Sequence, residues 1–391
     1  MIPETAHFVR DLFGYASLGF NRSRLARWGR GDDYTNEKYR ELAISTADRI
    51  HPRAMNLRVV EIIDETPTTR TLRMQRIDGP LPPFSAGQYV NVFITIDGVV
   101  TSRPYSISSA PGVPHLDLTV RAKPGGFVSG HIFHKIAVGD ELRTSGPSGW
   151  FRYERLIDGD DLVFIAGGSG ITPFMGMLRG FAGRNDAPRI HLLYGSRTPE
   201  DVIFDKELKK LGPRLRGLKV THVISEPPKG FSGVTGFLDA DRIRKSVGNI
   251  EGKMFYLCGP GAMLDLCRAA LKDLGVGMHR IRSELYGPPE DVTSIGAWPP
   301  NITADRVFQV QVEGRSAFDA AAGEPLINSL ERNGVVVPSV CRSGECSACR
   351  IRLLAGEVFM PPGTGVREAD RSHGYVHACM AYPITDIRIR L

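Results

Sequence analysis

The sequence predicts a multidomain protein in which a small antiparallel β-barrel, a parallel-sheet α/β module and a compact C-terminal β-rich module follow one another. Three observations carry this reading. Residues 55–155 are short β-rich runs such as Tyr89–Ile96, split by Gly and Pro turns, which suits a barrel with few helices. In residues 156–286 buried-type strands (Leu162–Ala166, Ile190–Tyr194, Met254–Cys258) alternate with helix-like segments, the pattern of a parallel sheet. Residues 287–304 carry four prolines and two glycines, a semi-rigid linker composition, and a further β-rich segment fills 305–391.

At 391 residues the chain is too long for one core. With 42% hydrophobic and 24% charged residues it has neither the apolar deficit of disorder nor the long apolar run of a membrane span. Its 49 basic against 43 acidic residues, a net charge of +6, make a mild excess that reads as solvated surface, not as a nucleic-acid footprint. Met1-Ile2-Pro3-Glu4 opens no secretory leader, so a cytoplasmic location is expected. Residues 1–54 form an Arg-rich N-terminal extension, with an apolar stretch from Leu12 to Phe20, expected to dock on something.

Four of the six cysteines crowd into the last fifth of the chain. Cys341, Cys346 and Cys349 make a C-x4-C-x2-C loop, and Cys379 lies far downstream. Two irons bridged by two sulfides need four thiolates, three of which one loop can supply. Gly344, Ser347 and Ala348 let that loop wrap closely and aim N–H groups at sulfur. Structural zinc also takes four thiolates, but its motifs come as two short pairs. The module resembles a plant-type ferredoxin, which implies a β-grasp (α+β) domain holding a [2Fe–2S] cluster. From Arg306 onward it has ten arginines, no lysine and nine acids, unlike the acidic free plant ferredoxins, so their docking electrostatics do not carry over.

Within the barrel, Arg103-Pro104-Tyr105-Ser106 combines a cation for phosphate, an aromatic face and a small hydrogen-bonding group, the three needs of a flavin. Gly125, Gly126, Val128 and Ser129 open a helix-like run whose free N–H groups suit a diphosphate, with Ser129 as the capping hydroxyl, which favours FAD over FMN. After the strand Leu162–Ala166, the run Gly167-Gly168-Ser169-Gly170-Ile171-Thr172-Pro173 lets backbone approach a second diphosphate, with Thr172 as cap and Pro173 in the first helical position. Together these motifs resemble the ferredoxin–NADP⁺ reductase superfamily.

That resemblance implies that Cys258, Gly259 and Pro260 lie against a nicotinamide, and that Glu284 and Tyr286 stand beside the flavin. Ser106, Cys258 and Glu284 are then the catalytic candidates. Ser196 and Arg197, with no acid in Tyr194–Arg197, favour NADPH over NADH. The module order resembles the reductase components of bacterial multicomponent oxygenases and desaturases. It implies hydride transfer to FAD, then single electrons through the cluster to a separate oxygenase, desaturase or P450-like metalloenzyme. A self-sufficient oxidase or diaphorase, and a zinc-bound docking module, are the rival classes.

Overall fold

The computed structural model describes residues 37–391. The chain divides at Arg53 into two compact units. In the first, the helix Glu37–Ile50 is described, and it stops as Pro52 restricts the residue before it. The Leu12–Phe20 stretch lies outside the described residues.

The second unit begins with the barrel. Its strands are β1 (Met55–Thr66), β2 (Thr69–Arg76), β3 (Tyr89–Ile96), β4 (Val99–Ser106), β5 (Leu116–Arg121) and β6 (Glu141–Thr144). They pair antiparallel in the order β4-β3-β6-β1-β2-β5. The two ends of that order meet where Ile107 bridges Leu118 and Ser108 N–H donates to Asp117 O (2.9 Å), which curls the sheet round its core. Alternation places Met55, Leu57 and Val59 of β1 inside. The β3–β4 hairpin turns on Asp97-Gly98, both at positive φ (49° and 80°), as a two-residue turn of this hand requires.

The nucleotide-type module holds β7 (Asp161–Gly167), β8 (Arg189–Ser196), β9 (Leu218–Ile224), β10 (Val234–Thr235), β11 (Met254–Cys258) and β12 (Ile281–Glu284). All pairs are parallel, in the order β10-β9-β8-β7-β11-β12. The order reverses at β7, so the loops leaving β7 and β11 border the crevice where open α/β sheets take ligands. An ionic clasp ties barrel to sheet. Arg179, on the helix Ile171–Phe181, holds Glu207 in two bonds (2.8 and 2.6 Å) and donates to Ser108 O (2.7 Å). Its guanidinium also stands 3.5 Å from Asp117, which is almost fully buried on β5 and bonded twice by Arg73.

The C-terminal module has β13 (Val307–Val312), β14 (Phe318–Ala321), β15 (Arg350–Ala355), β16 (Val358–Phe359), β17 (Tyr375–His377), β18 (Tyr382–Pro383) and β19 (Ile387–Arg390). The mixed sheet β14-β13-β19-β15-β17 packs on the helix Leu326–Arg332, the β-grasp arrangement the resemblance implied.

The expected spacer at 287–304 is not open chain. Val292, Trp298 and Ile302 are buried with Phe308, Phe359 and Tyr382 in a core of their own, and the Trp298 indole donates to Ile302 O (2.7 Å). Proline content says nothing of the apolar side chains between the prolines, which bury themselves against the C-terminal module. Trp298→Ala is therefore expected to destabilise that module by about 3 kcal/mol. Denaturant unfolding followed by the visible absorbance of the cysteine-bound centre measures it, and a change near zero would return the segment to a spacer.

Candidate functional site

A cavity of about 510 Å³ lies where the three modules meet. It is bounded by Tyr89 and Pro104 of the barrel, Glu284 and Tyr286 at the end of β12, and Cys341 and Cys346 of the cysteine loop. Its size falls within the range of about 300–1,000 Å³ usual for cofactor sites. A larger cleft of about 830 Å³ is lined by Asp117, Arg179 and Glu207 and contains none of the motif residues, so size alone does not mark the chemistry.

Hydrogen bonds join the catalytic candidates across two modules. Tyr286 OH donates to Glu284 and, its one proton thus spent, accepts from Ser106 Oγ at the end of β4. Cys258 is opposite Glu284 in the β11–β12 register and contacts Tyr286. Burial pushes the Glu284 carboxyl up to about 8 and raises the Cys258 thiol and the Tyr286 phenol well above their ordinary ranges. Tyr105 is half-buried against the barrel core. Arg103 points elsewhere, to the seam with the C-terminal module. There it donates to Thr101 Oγ1 (2.7 Å) and Ser102 O (2.8 Å) and reaches Asn328 (3.5 Å).

Close backbone contact shapes the crevice. A Cβ on Gly170 would stand 2.2 Å from Cys258 O, and one on Gly259 would stand 3.1 Å from Gly167 Cα, so the turns after β7 and β11 can touch only as glycines. Pro260 caps the helix Gly261–Asp273. The helix after β7 starts earlier than expected. A tight turn Gly168–Gly170 feeds into it, Gly170 takes the cap position, and Thr172 Oγ1 donates back to Ser169 O (2.9 Å) while Pro173 falls in the third position. Ser129 is likewise no cap. It lies inside the helix Phe127–Lys135, which Gly126 begins, and its Oγ accepts from Lys123 N–H (3.2 Å). Gly125 holds φ at +66°, and Val128 is buried in the barrel core. In both turns the cap position a hydroxyl was expected to fill falls to a glycine, Gly126 or Gly170.

At the end of β8, Ser196 is buried and Arg197 is 59% exposed. Arg197 Nε stands 3.1 Å from Asp201 and 4.0 Å from Glu226. Arg121, which the sequence reading missed, ends β5 with its guanidinium 3.1 Å from where a Gly168 Cβ would stand and 3.4 Å from Asp201. The signal was present, since Arg121 ends the strand four residues before Gly125. Trp150, 80% exposed on the cavity wall, carried no motif.

The four thiols fall into two pairs. Cys341 Sγ accepts from the backbone N–H groups of Ser343 and Cys346 (both 3.4 Å), and Cys341 N–H donates to Cys346 Sγ (3.5 Å). Cys349 and Cys379, both free thiols, face each other as the second pair. The Cys346 thiol, with those N–H groups, holds Cys341 below the usual thiol range. The loop coils through positive φ at Arg342, Gly344 and Ser347 (51°, 81° and 57°), and a Cβ on Gly344 would meet Met380 Cγ at 2.8 Å. Two thiol pairs, shared between one coiled loop and the turn after β17, fit a two-iron centre, and a hydroxyl, an aromatic face and helix-start N–H groups fit a flavin.

Fold and site together define a nicotinamide- and flavin-dependent reductase with its own iron–sulfur centre. Residues 56–153 match the oxidoreductase FAD-binding domain, 164–269 the oxidoreductase NAD-binding domain and 310–383 the 2Fe-2S iron-sulfur cluster binding domain. The glycine betaine monooxygenase reductase subunit of Pseudomonas aeruginosa is 30% identical over 349 residues, 85% of this chain and 94% of that one. NADH oxidoreductase HCR of Escherichia coli is 29% identical over 333 residues, 85% of this chain and 96% of that one. The structure of phthalate dioxygenase reductase shares the fold at a TM-score of 0.64 and 22% identity, covering 86% of this chain and 98% of that one. The chain belongs to the ferredoxin–NADP⁺ reductase superfamily, in the branch with a C-terminal [2Fe–2S] ferredoxin domain.

A carboxyl raised by burial binds its proton more tightly folded than unfolded, so stability falls as pH rises from about 4.5 to about 8 through Glu284. Glu284→Gln is expected to flatten that part of the melting-temperature profile. An unchanged slope would place the carboxyl in contact with water.

Proposed function

We propose that this chain reduces a partner oxygenase, taking two electrons from a nicotinamide nucleotide and delivering them singly through the cluster. The supporting observation is the shared cavity, whose walls come from barrel, nucleotide sheet and cysteine loop at once. Bound flavin supplies the change from two-electron to one-electron chemistry, and the [2Fe–2S] centre supplies the one-electron carrier. Ser106, with Pro104 and Tyr105, orients the flavin ring. Gly125, Gly126, Val128 and Ser129 present helix-start N–H groups to its diphosphate. Arg103 is the assigned flavin contact that its surroundings support least, because both terminal nitrogens already have partners.

Gly168, Gly170, Thr172, Pro173, Cys258, Gly259 and Pro260 form the nucleotide crevice, with the buried Cys258 and Glu284 and the half-buried Tyr286 at its floor. Cys341, Cys346, Cys349 and Cys379 ligate the cluster. The relatives named for glycine betaine and 3-ketosteroid monooxygenases support an oxygenase as acceptor. No helix among the described residues is long and apolar enough to cross a membrane, and we place the reaction in the cytoplasm. Cys346→Ser in the full chain is expected to leave NADH-driven ferricyanide reduction intact and to cut cytochrome c reduction to below about a tenth, as loss of a cluster ligand should. Equal cytochrome c rates in variant and parent would favour the oxidase or diaphorase reading.

The finer choice of nucleotide turns on Ser196 and Arg197. An exposed arginine here supports NADPH, through a charge-assisted contact to the 2′-phosphate. Asp201 and Glu226 beside it favour a second reading, NADH, since two carboxylates compete for the guanidinium and repel the phosphate. Arg197→Ala separates them. On the NADPH reading kcat/KM for NADPH falls on the order of tenfold to a hundredfold while NADH is spared, and on the NADH reading neither value moves by more than about twofold.

A further inference from the structure

A buried polar knot outside the cavity joins the barrel to the ferredoxin module. Thr101 Oγ1, on β4, donates to Glu331 Oε2 (2.8 Å) on the helix Leu326–Arg332 and accepts from Arg342 Nη2 (3.2 Å). Arg342 pairs with the other oxygen of Glu331, and all three residues are almost wholly buried. Arg342 also reaches Asn328 (3.4 Å), and Ser102 meets Ser339 at 3.3 Å one position along. The knot holds two guanidiniums, Arg103 and Arg342, against the one carboxylate of Glu331.

Its place in the chain gives it a consequence. Arg342 directly follows the ligand Cys341, and Thr101 shares β4 with Ser106, so each partner is tied by rigid backbone to one redox site. We propose that Thr101, Glu331 and Arg342 form a positioning clamp that fixes the cysteine loop against the flavin strand and sets the electron-transfer geometry between them. This rests on the flavin-to-cluster relay proposed above. Electron transfer weakens steeply with separation, so a loose clamp slows the internal step without touching nucleotide chemistry. A buried charge pair suits the task, because it tolerates one register only and losing one partner leaves the other charge stranded.

The test uses full-length, cofactor-loaded Thr101→Val and Glu331→Gln. Both are expected to keep NADH–ferricyanide turnover within about twofold and to lose on the order of tenfold in NADH–cytochrome c turnover, the effect of partial undocking. Amide hydrogen exchange should speed up in both residues 99–106 and residues 326–342, with the visible spectrum of the cluster unchanged, and Thr101→Ser should restore both readouts. Unchanged cytochrome c turnover with faster exchange would make the knot structural only and overturn the proposal. Unchanged exchange in both segments, or loss of the cluster spectrum, would overturn it as well. Loss of ferricyanide turnover would instead count against the flavin assignment itself.

Discussion

The Tyr286 hydroxyl accepts from Ser106 on the barrel and donates to Glu284 on the nucleotide sheet, with the buried Cys258 alongside. A phenol has one proton to give, so when it donates to Glu284 it can only accept from Ser106, and the three groups must keep one geometry. Burial raises the Glu284 carboxyl to about 8, so it holds its proton into neutral pH. Ser106 ends β4, Cys258 ends β11, and Glu284 and Tyr286 stand together at the end of β12, so the bonds that cross from barrel to sheet need the register held in both.

Two sets of ion pairs hold that register. Arg179 and Asp117 clasp barrel to sheet on one side, and Thr101, Glu331 and Arg342 clasp barrel to ferredoxin module on the other. Both sets use arginine, whose planar fork bonds a carboxylate and a neighbouring oxygen at once. This accounts for part of the arginine content of a ferredoxin module that has no lysine: Arg342 and Arg350 are spent on internal pairs with Glu331 and Asp370 and not on a docking face. The ferredoxin module is also anchored through its approach segment, since Trp298 packs into it before β13 begins.

Much of this was legible because the chemistry demands local sequence. Four thiolates for two irons require a coiled loop and a distant partner, and Cys341, Cys346, Cys349 and Cys379 announce both. Strand periodicity and the glycine-rich turn after β7 announce a parallel sheet and its crevice. What stayed hidden depends on long-range packing. Whether Trp298 is spacer or core depends on Phe359 and Tyr382, far along the chain. Arg103 reads as a phosphate ligand by its motif, yet its guanidinium direction is decided by Thr101 and Asn328. Ser129 and Thr172 looked like caps because hydroxyls favour that position, but the cap positions fall on Gly126 and Gly170, where a Cβ would stand 2.4 Å from Ser129 Oγ and 2.2 Å from Cys258 O.

The central claim is that one folded unit brings nucleotide crevice, flavin strand and cluster loop to a single cavity, so that electrons reach the cluster within one molecule. Stopped-flow bleaching of the cluster after mixing with NADH tests this directly, repeated over a wide range of protein concentration at saturating nucleotide. The account predicts a first-order rate that does not change with protein concentration. A rate rising in proportion to protein concentration would mean that electrons pass between molecules, and would contradict it.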